Sequence, residues 1–278
     1  MQEIFLNDLF RRKWEGKDPF EEAFQLDGES FRKVKSRHTF RFELEGRGYF
    51  VKLHEGTGWA EILKNWLQFK APVLGACNEY HALRHLRELG VDTMTPCAYG
   101  YQGTNPAEMR SFLITEELTG VISLEDYCRN WPENPPPFSG KYALIRKLAS
   151  MTAAMHRGGL NHRDCYLCHF LLKQETEHSE DPVLYVIDLH RAQIRNRIPY
   201  RYRVKDLAGL FFSAMDTGIT RNDLFRFLKT YTGMSLRDAF RRHGSLISDA
   251  NHAARKLYRK EFRKDPPEPG GTKCSRRF

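Results

Sequence analysis

Asn161-His162-Arg163-Asp164-Cys165-Tyr166-Leu167-Cys168-His169-Phe170-Leu171-Leu172 is the stretch on which the reading of this chain turns. It opens as a His-Arg-Asp loop and ends in a short apolar strand. Downstream, Val183-Leu184-Tyr185-Val186-Ile187-Asp188 is a second apolar strand, closed by a carboxylate. A loop Asp followed by a strand-terminal Asp supplies the two acids that phosphoryl transfer from ATP needs. One takes the proton of an attacking hydroxyl and the other holds magnesium. A lone His-Arg-Asp tripeptide arises by chance, so the weight lies in what accompanies it.

Upstream, Phe40, Phe42 and Leu44 alternate with Arg41, Glu43 and Glu45, the pattern of a half-buried strand. Glu45-Gly46-Arg47-Gly48 reads as a turn, and Tyr49-Phe50-Val51-Lys52-Leu53 as the returning strand of a hairpin. Glu79, Leu83 and Leu86 share one face of a helix that Gly90 stops. A carboxylate on an apolar face is costly unless it meets a cation, and Lys52 is the expected partner. Phe112-Leu113-Ile114-Thr115-Glu116-Glu117-Leu118 is a strand running into a polar connector, with Thr115 placed beside an adenine pocket. Leu144, Leu148, Met151 and Met155 mark a helix ended by Gly158-Gly159, and Asp206-Leu207-Ala208-Gly209-Leu210 opens another. Asp206 is expected to brace the backbone of the catalytic loop. Singly, Lys52 reads as a solvated strand lysine and Glu79 as a surface residue. Their order along the chain implies an α+β, bilobal protein-kinase-like fold. A small β-rich N-lobe with an αC-type helix spans 1–118. A mainly helical C-lobe spans 119–278, with a basic tail from about 255.

The chain resembles the lipopolysaccharide core heptose(I) kinases. The resemblance rests on Gly16-Lys17-Asp18-Pro19-Phe20, Tyr49-Phe50-Val51-Lys52-Leu53-His54, Pro72-Val73-Leu74-Gly75-Ala76-Cys77-Asn78-Glu79-Tyr80, Ser111 to Leu118, and above all His162 to Leu172. It implies transfer of the ATP γ-phosphate to the 4-hydroxyl of the first heptose of the inner core, with Mg2+. Asp164, with His162 and Arg163, is then the catalytic group. Lys52, Glu79, Ser36, Arg37, Glu116 and Leu118 bind ATP, and Asp188 with His169 holds the metal. Departures from the general kinase pattern are plain. The first hairpin, Phe31 to Thr39, has no glycine with which to approach phosphate, and Ser36 and Arg37 are offered in its place. His169 stands where a second metal-binding Asn is expected, which puts a two-metal site in doubt. Leu189-His190 follows Asp188, and no Ala-Pro-Glu follows, which argues against a phosphorylation-switched loop.

The net charge is +9, from 44 basic and 35 acidic residues. Arg191, Arg195, Arg197, Arg201, Arg203 and Lys205 fall in one acid-free segment, 189–205. A cationic wall there suits an anionic acceptor, the lipopolysaccharide inner core, against the plainer reading of a solvated loop. The basic residues from Arg255 onward suit an anionic inner-leaflet membrane face or a small acidic partner protein, and equally a merely solubilising tail. Nucleic acid is not expected. No apolar run is long enough to span a bilayer, and the N-terminus lacks a signal-peptide core. A cytoplasmic enzyme, peripheral at the inner membrane and with reduced cysteines, is expected. His162, Cys165, Cys168 and His169 also invite zinc, but the loop is too compact to converge all four and still place Asp164. The rival readings are a protein (tyrosine) kinase, an antibiotic phosphotransferase, whose cationic acceptors want an acidic site, and a catalytically inactive basic scaffold or nucleic-acid-binding protein.

Overall fold

The computed structural model describes residues 2–34, 37–56, 58, 59, 63, 75–105 and 107–269. The chain divides into two compact units. Unit 1 comprises Met1–His85, Met94–Leu118 and Leu189–Arg191; unit 2 comprises Leu86–Thr93, Thr119–Asp188 and Ala192–Phe278.

Among the described residues of unit 1, six strands form one antiparallel sheet: β1 (Gln2–Leu6), β2 (Glu29–Val34), β3 (Arg37–Leu44), β4 (Arg47–Glu55), β5 (Pro96–Gln102) and β6 (Arg110–Glu116), in the order β1-β5-β6-β4-β3-β2. The β3–β4 hairpin turns on Glu45 and Gly46, at φ 52° and 73°. Two successive left-handed residues give the turn whose twist matches that of paired strands. The turn sets Thr39 opposite Lys52 and Phe40 opposite Val51. Helices α1 (Asp8–Lys13) and α2 (Pro19–Gln25) pack on the sheet. Asn7 caps the first through Phe10 N–H, and Asp18 caps the second through Phe20 N–H. Phe10 meets Tyr49 edge-on at 5.6 Å, and Phe20 meets Phe112 at 5.2 Å. Burying rings of this size contributes about 1.5–3 kcal/mol each. Helix α3 (Cys77–Glu88) buries Leu83 and Leu86 as its spacing requires.

Unit 2 is mainly helical. It holds α4 (Leu124–Tyr127), α5 (Phe138–Arg157), α6 (Tyr200–Ser213), α7 (Arg221–Thr232) and α8 (Leu236–Phe262). A small sheet joins β7 (Val121–Ser123), β9 (Phe170–Lys173) and β10 (Leu184–Val186), and β8 (Leu160–Asn161) pairs with β11 (Gln193–Ile194). Two expectations need correction. Asp206 does not open its helix; α6 starts at Tyr200, so Arg201, Arg203 and Lys205 of the basic segment are helical. Nor is Arg255 the head of a tail, because residues 255–262 are the last turns of α8. Tyr258 there is 1% exposed, donates to the Asp216 carboxylate at 2.9 Å and sits against Phe212. No helix among the described residues is long and apolar enough to cross a membrane.

Candidate active site

In unit 1, Lys52 Nζ lies 2.6 Å from Glu79 Oε1. The Glu79 side chain is 2% exposed and that of Lys52 is 28% exposed. The sheet puts Lys52 in the middle of β4, and the helical period turns Glu79 inward beside Leu83. The pair therefore fixes a cation while leaving part of its ammonium open. The connector is pinned to the same unit. Glu116 N–H donates to the Thr95 carbonyl and Glu117 N–H to the Gly48 carbonyl, both at 3.0 Å. The Arg41 guanidinium grips both oxygens of Glu117 at 2.9 Å, and Glu117 with Glu43 holds it well above its usual range. Leu118 is half-buried at the end of this run, and Arg37 begins β3 opposite His54. Ser36 lies outside the described residues. Burial, with the charges of Arg37, Lys52 and His190, lowers His54 to about 3, so it is neutral.

In unit 2 the His-Arg-Asp loop is held from below. Asp206, fully buried, accepts from His162 N–H at 2.7 Å and from Arg163 N–H at 2.8 Å. His156 Nε2 lies 3.3 Å from the same carboxylate, and its Nδ1 lies 2.8 Å from the Tyr231 hydroxyl. These bonds hold Arg163 at φ 74°, a conformation that costs a non-glycine residue free energy. Gly209 allows the close approach, since a Cβ there would meet the Cys165 carbonyl at 2.5 Å. Asp164 is thereby presented with 17% exposure, and Lys205 Nζ is 3.9 Å from its Oδ1.

His162 Nε2 lies 2.9 Å from the Ile187 carbonyl. An oxygen that can only accept makes this nitrogen the donor. Burial lowers the His162 pKa, so the ring stays neutral. His169 stacks parallel on it at 5.6 Å. His169 Nδ1 lies 2.7 Å from the Asp164 carbonyl and must likewise donate, while Nε2 faces Asp188 Oδ2 at 3.4 Å. A neutral His169 would thus aim a lone pair at a carboxylate oxygen. Such a pair of acceptors wants either a proton or a cation between them. The donor set of Asp188 with His169 fits a divalent ion on that ground. Asp188 itself sits at φ 61°, just past β10.

Among the described residues, His162, Cys165, Cys168 and His169 do not bring their ligand atoms together as a metal cluster. Burial holds the Cys165 thiol well above its usual range. Burial and the Glu125 carboxylate push the Cys168 thiol up to about 11.

The basic segment is not uniform. Arg191 clusters with unit 1. Arg195 turns inward, donating to Asn161 Oδ1 at 2.8 Å and Gln193 Oε1 at 2.7 Å, and stacks over Tyr202. Arg201 lies against the Tyr202 ring at 4.7 Å and, like Arg197, is exposed. Arg203 is half-buried, with Nη2 3.4 Å from the Tyr231 hydroxyl. The sequence reading missed Arg41, His156 and Tyr231. Only His156 carried a local signal, as a polar residue on the apolar face of a helix just before Gly158-Gly159.

A family model described as the lipopolysaccharide kinase (Kdo/WaaP) family matches residues 21–231. The chain is 48% identical over 262 residues to the lipopolysaccharide core heptose(I) kinase WaaP of Escherichia coli, covering 94% of this chain and 99% of that protein. It is 49% identical over 261 residues to the protein of the same name from Pseudomonas aeruginosa, covering 94% and 97%. A solved structure, WaaP in complex with acyl carrier protein, matches with a TM-score of 0.81 and 46% identity, over 92% of this chain and 99% of that one.

Proposed function

The chain belongs to the lipopolysaccharide kinase (Kdo/WaaP) family, and we propose that its Asp164 is the base through which the ATP γ-phosphate reaches the 4-hydroxyl of the first inner-core heptose. It is a sugar kinase, it uses ATP, and its acceptor is a heptose of the lipopolysaccharide core. The observation that carries the assignment is the Asp206 brace, which spends a fully buried carboxylate on aiming one loop.

Asp164 orients the acceptor hydroxyl and takes its proton, with Lys205 as the nearby cation. Arg163 and His162 keep the loop in its left-handed turn. Lys52, oriented by Glu79, donates to the nucleotide phosphates, and Arg37 and Ser36 complete that side. Glu116 and Leu118 offer connector backbone to adenine. Asp188, steadied by His169, is the group that would hold Mg2+, which neutralises phosphate charge when bound. Arg197 and Arg201 are the exposed cations for the anionic acceptor, with Arg195 and Arg203 shaping that surface from within, and Arg191 is a further acceptor contact. Catalysis of this kind is positioning and charge stabilisation.

The solved relative is in complex with acyl carrier protein. With a net charge of +9, this chain suits a small acidic carrier of that type and the anionic cytoplasmic face of the inner membrane.

Asp164→Ala is the test. Turnover on deacylated core oligosaccharide should fall about 10²–10⁴-fold, with ATP affinity and melting temperature nearly unchanged. Near-normal turnover would remove Asp164 from the chemistry. A protein-kinase reading loses if polypeptide acceptors are not phosphorylated in the same assay.

A further inference from the structure

A cleft of about 300 Å³ opens in unit 2 beside the catalytic-loop brace, lined by His156, Arg157, Arg197, Arg203, Tyr231 and His243 among others. No carboxylate lines it among the described residues. Arg203 Nε is buried without a hydrogen-bond partner among those residues. Arg157 Nη2 is 3.1 Å from the Tyr231 backbone carbonyl, and Arg203 Nη2 is 3.4 Å from the hydroxyl of the same residue. His243 is held below its usual pKa by burial and by the charges of Arg203 and Arg242. Arg157 and Arg197 are exposed and Arg203 is half-buried, and the unmet donor is the buried Arg203 Nε. Guanidinium forks match the oxygens of phosphate.

We propose that this cleft is an oxyanion subsite that takes a phosphate group, and that its occupancy bears on the catalytic loop through Tyr231 and His156. The route is continuous. Arg203 Nη2 reaches the Tyr231 hydroxyl, which lies 2.8 Å from His156 Nδ1. His156 Nε2 lies 3.3 Å from Asp206, whose oxygens accept from His162 and Arg163. A phosphate that draws Arg203 off the tyrosine alters the partner of the histidine that steadies the brace. The second half of the proposal rests on the assignment of the Asp164 loop as catalytic; the subsite itself does not. The phosphate can be free or carried by the anionic acceptor.

The probe is inorganic phosphate, titrated against chloride of matched ionic strength while the melting temperature of the full chain is followed. The wild type should show a saturable rise. Arg203→Gln, His243→Gln and Arg157→Gln should each weaken the apparent phosphate affinity about tenfold. Should Arg203→Gln not fold, as judged by its melting in chloride, the other two carry the test. Core oligosaccharide bearing phosphate should compete with inorganic phosphate, and its dephosphorylated form should not. If neither competes, the ligand is free phosphate and the subsite stands. Tyr231→Phe should keep the melting shift while removing any effect of phosphate on kcat. A wild type indifferent to phosphate, or one whose shift survives in all three variants, overturns the subsite. Normal turnover by Asp164→Ala would overturn only the catalytic assignment, because the melting shift does not depend on it.

Discussion

Glu79 in unit 1 and Asp206 in unit 2 are both buried acids, 1% and 0% exposed, yet they are satisfied in different ways. Glu79 meets a single ammonium, Lys52, on a side chain that keeps part of its surface open. Asp206 meets two backbone N–H groups and an imidazole, all enclosed. A charge–charge pair holds a side chain that must still offer donors to a ligand. A carboxylate bonded to main-chain amides holds a loop in a conformation it would not otherwise keep. Breaking the first should therefore injure substrate handling, and breaking the second should injure folding as well.

The largest effect is expected from Asp206→Ala. It leaves the His162 and Arg163 amides buried without their acceptor, at about 1–3 kcal/mol each. It also releases Arg163 from φ 74°. The melting temperature should drop by about 10 °C and turnover should be lost. A variant that melts like the wild type would show that the loop does not need this brace.

Lys52→Ala and Glu79→Ala should each damage ATP binding and turnover, with smaller losses of stability. As they act through one contact, the double variant should fall short of the summed effects by about 0.5–3 kcal/mol. Additive losses in ATP binding and turnover would mean that the 2.6 Å contact does no work in either.

On the acceptor side, replacing Arg197 and Arg201 by Gln should raise the acceptor KM severalfold and flatten its salt dependence, since exposed charges are screened by salt. The KM for ATP should stay put. The reverse pattern would place these arginines against the nucleotide.

The smallest effect near neutrality concerns His54, whose folded pKa of about 3 lies below its usual value. The unfolded chain binds the proton first, so stability is intact above about pH 6.5 and declines as pH falls toward 3. The slope from this group is at most about 1.4 kcal/mol per pH unit. Urea midpoints from pH 7 to pH 5 should decline less in His54→Gln.

Much of the site was legible because its signals are local. Alternation at Phe40 to Leu44 and Tyr49 to Leu53 marked the hairpin. Helical spacing turned Glu79 inward, and burial cost then demanded Lys52. The start of α6 is hidden because Tyr200, Tyr202 and Val204 alternate with basic residues, a period of two rather than a helical one, and the helix follows Pro199. Residues 255–262 read as a tail because basic residues mask Tyr258, whose buried face is set by Phe212 and Asp216 of other segments.

By itself, then, the sequence determined the hairpin that carries Lys52, the inward face of the helix that carries Glu79, the resemblance to heptose kinases and the order of Lys52, Glu79, Asp164 and Asp188 along the chain. Periodicity, turn chemistry and short motifs act within a few residues. Beyond the Lys52–Glu79 pair, only the tertiary structure decided which charges meet. Arg41 grips Glu117 across 76 positions, His156 reaches Asp206 across 50, and Arg195 folds back on Asn161 across 34. A cation's one-letter code is the same whether it faces solvent, a substrate or a buried acid. The packing around it settles which, because the cost of desolvation depends on neighbours far away along the chain.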